Sequence, residues 1–218
     1  MNSDIHHKQH WAVGTYIDLM LAAIIMQIVF LFTSVWVGTY GSDFFDKNLE
    51  EIQYALRMQI SLGWMMCIIA GLGFSILPLI YDVPSFEKTV MRIYITMNMS
   101  GQFAIMFGII SRDIAVFHTL STIGLTLLCG SLVCLISPAM TVFKSKKIIS
   151  DKMGAFSYSI GAIMPILGIV TIICWIARDY RNGVLDISEA LVMDFFIPLA
   201  IIATIISHLN RRLDWEII

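Results

Sequence analysis

Charged residues are scarce in this chain: Asp, Glu, Lys and Arg make up 14% of its 218 residues, against roughly 25% in soluble domains. That shortage excludes a fold with the charged shell that keeps a globular protein in water. An excess of one sign is missing too. With 14 basic residues against 16 acidic ones and a net charge of −2, there is no concentrated basic surface to neutralise phosphates, which excludes nucleic-acid partners. Cysteine is limited to Cys67, Cys129, Cys134 and Cys174, each inside an apolar run and without C-x-x-C spacing. They read as small core hydrophobes, not zinc ligands or a disulfide framework. Catalytic signatures are equally thin. The chain has no HExxH and no P-loop, and Gly71-Leu72-Gly73 falls within an apolar run instead of opening a dinucleotide site. Ser85-Phe86-Glu87-Lys88 matches S-x-x-K but follows Pro84 and has none of the partner motifs.

What the chain has in quantity is long apolar sequence. It is 58% hydrophobic, with a mean hydropathy of +0.81. Six runs, at about 12–40, 54–81, 89–111, 114–142, 156–177 and 187–209, each have the roughly 20 residues that an α-helix needs to cross a bilayer. The expected fold is all-α: a polytopic membrane protein with six transmembrane helices in one bundle, a single domain over 1–218. The first run follows a polar stretch, exceeds a signal-peptide apolar region and lacks a small-residue cleavage pattern, so it is expected to be retained. Between the runs stand an acidic stretch at 41–51, a turn at Asp82-Val83-Pro84-Ser85, the tight pair Arg112-Asp113, and a basic loop with Lys144, Lys146, Lys147 and Lys152. The tight pair requires the third and fourth helices to be antiparallel neighbours.

Basic residues set the expected orientation, because cytoplasmic loops carry the lysine and arginine excess. Lys8, Lys88, Arg92, Lys144, Lys146, Lys147, Lys152, Arg211 and Arg212 fall on the side of the termini, and Lys47, Arg57, Arg112, Arg178 and Arg181 on the other. Both termini are therefore expected in the cytoplasm, with a prokaryotic plasma membrane as the location.

An ionisable side chain at membrane depth costs about 2.5–3.5 kcal/mol on insertion scales, which makes each one a candidate site. Here they are few: Asp18 early in the first run, His118 early in the fourth, Asp194 and His208 in the sixth. Asp18 fits either a structural pair with Lys88 or Arg92, or a proton or ion relay. The uncharged polar set includes Gln27, Gln59, Asn98, Ser100 and Gln102. Asn98 and Gln102, four apart, share one helix face and are expected to make inter-helix hydrogen bonds. Gly154, Ser157, Gly161 and Gly168 leave one face of the fifth helix almost bare. Small residues at such spacing let backbones approach closely in lipid, either within the chain or against a partner's helix. His6, His7 and His10 precede Trp11; His6 and His10 have the i, i+4 spacing that lets two imidazoles meet one metal ion, though no cysteine or carboxylate completes the set. The 14 methionines read as packing.

The stretch Arg57-Met58-Gln59-Ile60-Ser61-Leu62-Gly63-Trp64-Met65-Met66, continuing through Gly71-Leu72-Gly73 to Leu77-Pro78, resembles the second-helix region of the heme-copper oxidase subunit I family. In that family a histidine shortly before the glycine-aromatic pair ligates heme. Here Met58, Gln59 or Ser61 stands in its place, and the second run has no histidine. The resemblance implies a cofactor-free descendant or an accessory subunit of a respiratory, oxidase-like or monooxygenase-like complex of electron transport. The expected function is thus a non-catalytic subunit in contact with membrane lipid and other transmembrane subunits, with quinone or lipid at helix interfaces and no cofactor of its own. Two alternatives stand beside it: a small transporter or channel with a polar path through Asp18, Asn98, Gln102 and His118, and a heme- or copper-binding redox protein with Met58 and His118 as axial ligands.

Overall fold

The computed structural model describes residues 2–40, 45, 47–68, 70–71, 88–136, 169, 173 and 175–176, with side chains from Gly14 onward, Tyr16 excepted. Its regular elements are all helical: α1 Asn2–Tyr40, α2 Leu49–Met58, a π-helical segment Gln59–Met65 that continues α2, α3 Lys88–Ser111 and α4 Ile114–Val133. Three helices are long and apolar enough to cross a membrane, over Ile17–Tyr40, Lys88–Ser111 and Ile114–Val133. The sixth run lies outside the described residues, as does most of the fifth, where Ile169, Ile173, Trp175 and Ile176 are helical.

Apolar residues run around the whole of α1, the pattern of a helix solvated by lipid. One face, with Leu19, Ala22, Ala23, Met26 and Val29, packs inward; the other leaves Ile17, Leu21, Ile24, Ile28 and Val35 more than half exposed. Of its two buried polar residues, Thr15 and Thr33, the Thr33 hydroxyl is satisfied within the helix, donating to the Val29 carbonyl at 2.7 Å. Helix α2 differs. It starts ahead of position 54, inside the acidic stretch, because Glu50 and Glu51 lie in its first turn and Arg57 in its last, each favourably placed on the helix dipole. Ile52, Tyr54, Ala55 and Met58 are buried. An amphipathic entry of this kind is invisible to a reading that follows apolar runs alone.

The turn between α3 and α4 is as tight as the Arg112-Asp113 pair requires. Arg112 takes a left-handed conformation, φ 55°, which reverses the chain. The Asp113 carboxylate then caps α4, accepting from the N–H groups of Ala115 at 2.9 Å and Val116 at 3.1 Å. Asp113→Ala is expected to cost about 1 kcal/mol of stability, read as a lowered unfolding midpoint in detergent; an unchanged midpoint would mean the cap is dispensable. Arg112 also holds the end of α1, with its guanidinium 5.5 Å from the Trp36 ring and 5.7 Å from the Tyr40 ring. Near the start of α1, Gly71 packs on Leu19 and Met20. Thus α1 and α2 run in opposite directions, and the ends of α1 and α3 share one side with the starts of α2 and α4.

Glycine sets the closest approach. A Cβ at Gly101 would stand 2.7 Å from the Gly124 carbonyl oxygen, and one at Gly124 would stand 2.7 Å from that of Gly101. At this crossing α3 and α4 touch backbone to backbone, which lipid-embedded helices use in place of a hydrophobic driving force.

Candidate functional site

Five of the buried polar residues, Gln59, Ser61, Asn98, Gln102 and Ser131, gather in or beside the π-helical segment. A π-helix bonds i to i+5, so its carbonyls are displaced from the α-helical ladder, and in an apolar surrounding each needs a donor. Helix α3 supplies donors to two of them, the carbonyls of Gln59 and Leu62. Gln102 Nε2 donates to the Gln59 carbonyl at 2.6 Å, and Gln59 Nε2 returns a bond to the Gln102 carbonyl at 3.1 Å. One turn away, Asn98 Nδ2 donates to the Leu62 carbonyl at 2.9 Å and lies 3.4 Å from Ser131 Oγ of α4. Ser131 in turn donates to the Leu128 carbonyl at 2.6 Å. Gln59, Asn98, Gln102 and Ser131 are all 0% exposed. The seam therefore ties α2, α3 and α4 together with no opening to solvent.

Gly63 makes the arrangement possible. A Cβ there would overlap the Gln102 side-chain nitrogen, so the amide lies flat against bare backbone. The bonded nitrogens also fix how the amides face, because only the NH2 end can meet a carbonyl. Their oxygens, Gln59 Oε1, Asn98 Oδ1 and Gln102 Oε1, have no hydrogen-bond partner. Chemically the seam is neutral. Amides neither accept nor release protons at ordinary pH, and their donors are committed to backbone, so the seam joins helices instead of moving charge.

His118 belongs to a separate cluster at the end shared by the starts of α2 and α4. Glu51 Oε2 lies 3.2 Å from His118 Nε2 without accepting an aligned hydrogen bond, and both side chains are 21% exposed. The contact becomes an ion pair when the imidazole is protonated. Aromatic rings surround it: Phe117 at 5.5 Å and Trp175 at 6.1 Å from the imidazole, with Tyr54 stacked on Trp175 at 5.7 Å. Trp175 Nε1 donates to Thr122 Oγ1 at 2.9 Å, tying α4 to the fifth run.

The residues singled out from sequence are thus divided. Gln59, Asn98 and Gln102 meet in one seam; Asp18 and His118 do not join them. Asp18 and Gln27 are exposed on α1, and among the described residues Asp18 forms no ion pair with Lys88 or Arg92. The Met58 sulfur is 3.9 Å from the Ser61 hydroxyl, whereas His118 faces Glu51, so the two engage different partners. His6 and His10 lie one turn apart on the α1 backbone; their side chains and that of His7 are outside the described residues. No group of three or more His, Cys, Asp or Glu that could hold a metal occurs among the described residues. Gly154, Ser157, Gly161 and Gly168 are outside them as well. Sequence reasoning missed Gly63, Glu51, Ser131 and the Gly101–Gly124 crossing. Gly101 and Gly108 carry the same seven-residue spacing that drew notice in the fifth run, and Gly63 lies four residues after Gln59, one turn along the same helix. Comparison with protein-family models, curated proteins and solved structures finds no match for this chain.

Proposed function

We propose that the chain is a non-catalytic subunit of a larger membrane complex: six membrane-spanning helices, both termini cytoplasmic, in a prokaryotic plasma membrane. One observation carries this reading. The fully buried side chains of Gln59, Asn98 and Gln102 donate to backbone carbonyls across the helix contact, Ser131 beside them donates to the Leu128 carbonyl of its own helix, and together they line no path. A transporter would place such groups around a water-filled cavity, and a redox protein would need ligand sets that the described residues do not assemble. The resemblance of 57–66 to heme-copper oxidase subunit I supplies the kind of complex, an energy-converting or oxidising one, whose cofactors reside in partner subunits.

Purified from its own membranes in mild detergent, the tagged chain is expected to bring other transmembrane subunits with it in fixed stoichiometry. A lone, stable monomer would overturn the proposal. The separated chain is expected to show no Soret band and no stoichiometric copper; either signal would assign it redox chemistry of its own.

A further inference from the structure

We infer that the first turns of α3 hold one anionic phospholipid. Thr89, Arg92, Ile93, Thr96 and Met97 follow i, i+3, i+4, i+7, i+8 and so form one stripe of the helix; they line a cavity of about 300 Å³. This stripe faces away from the buried side of α3, which carries Met91, Tyr94, Asn98 and Gln102. The polar character is graded along it. Lys88 and Arg92, near the helix start, are both exposed, and among the described residues neither forms an ion pair. Farther along come Ile93, 47% exposed, and Met97. At 1.5 Å per residue, Lys88 to Met97 covers about 14 Å, enough to pass from the polar headgroup layer into the hydrocarbon.

That order matches the order of groups in a phospholipid. A guanidinium offers paired N–H donors to a phosphate, the Thr89 hydroxyl adds a neutral donor beside it, and Ile93 and Met97 form an apolar floor for the upper acyl chain. Because no acidic group among the described residues pairs with Arg92, the groove complements an anionic headgroup better than a zwitterionic one. This inference requires α3 to cross a bilayer but is independent of membership in a complex, so the two readings fail separately.

The test uses the full chain reconstituted in vesicles of equal parts phosphatidylglycerol and phosphatidylcholine, then extracted and analysed by native mass spectrometry. The wild type is expected to retain one phosphatidylglycerol per chain, favoured over phosphatidylcholine by about tenfold, the scale of a charge-assisted hydrogen bond. Arg92→Gln should abolish the preference, Arg92→Lys keep part of it, and Lys47→Gln, at the other end of the bundle, leave it intact. Unfolding midpoints of the variants should match the wild type. Equal retention of both lipids, a preference that survives Arg92→Gln, displacement of the lipid by inorganic phosphate, or a partner polypeptide cross-linking at Arg92 in place of lipid would each overturn the assignment.

Discussion

Replacing Gly124 with alanine is expected to destabilise the bundle by about 3 kcal/mol, the upper part of the usual range for overpacking. The added methyl group would sit 2.7 Å from the Gly101 carbonyl oxygen and 3.2 Å from the Ile105 backbone nitrogen. The nearest obstacle, Ile105 Cγ1 at 2.6 Å, is a side-chain atom that can shift, but these two are main chain, so α3 and α4 must still separate. The intrinsic preference runs the other way, since alanine in a helix is favoured over glycine by about 1 kcal/mol. Gly38→Ala isolates that term, because a Cβ at Gly38 meets nothing within 4 Å; it should be neutral or mildly stabilising. Unfolding in mixed micelles measures both. Equal behaviour of the two variants would mean that the helices do not cross backbone to backbone.

The second large effect is at Gly63. Here the obstacle is the far end of a flexible side chain, the Gln102 amide, so Gly63→Ala should push that amide away instead of spreading helices. Withdrawal breaks the bond to the Gln59 carbonyl and strands a buried acceptor, a loss of about 1–3 kcal/mol. Gln102→Ala strands the same carbonyl without any clash. Once Gln102 has gone, Gly63→Ala has nothing to displace, so the double variant should be more stable than the sum of the singles by about 1–2 kcal/mol. Additivity within about 0.5 kcal/mol would contradict the placement of the Gln102 amide over Gly63.

The spanning helices were legible in the sequence because hydropathy over about 20 residues reports the bilayer directly. Expected runs at 12–40 and 89–111 lie within α1, which already begins at Asn2, and α3, and α4 fills 114–133 of the run at 114–142; the Arg112-Asp113 turn followed from its shortness. The amphipathic entry of α2 did not, since its polar turns read as loop. Asn98 and Gln102 could be placed on one face by their spacing alone, but what they bond could not. Their acceptors are carbonyls of a π-helical segment, and backbone register leaves no mark on hydropathy. Gly63 and Gly124 were equally silent, because a glycine declares close approach only once its neighbour is known. Glu51 lay in the acidic stretch between two runs, where nothing in the sequence points to His118 as its neighbour.

A seam closed to water is the central feature of this bundle, and thiol accessibility at its centre tests it directly. Ser131→Cys is close to isosteric, and Ser131 is fully buried between Asn98 and the Leu128 carbonyl. With the native cysteines replaced by alanine, this single thiol in reconstituted vesicles is expected to resist a charged methanethiosulfonate reagent added from either side, whereas a control cysteine at the exposed Gly38 position reacts readily. Rapid modification at 131 would reveal an aqueous path through the polar residues and contradict the account.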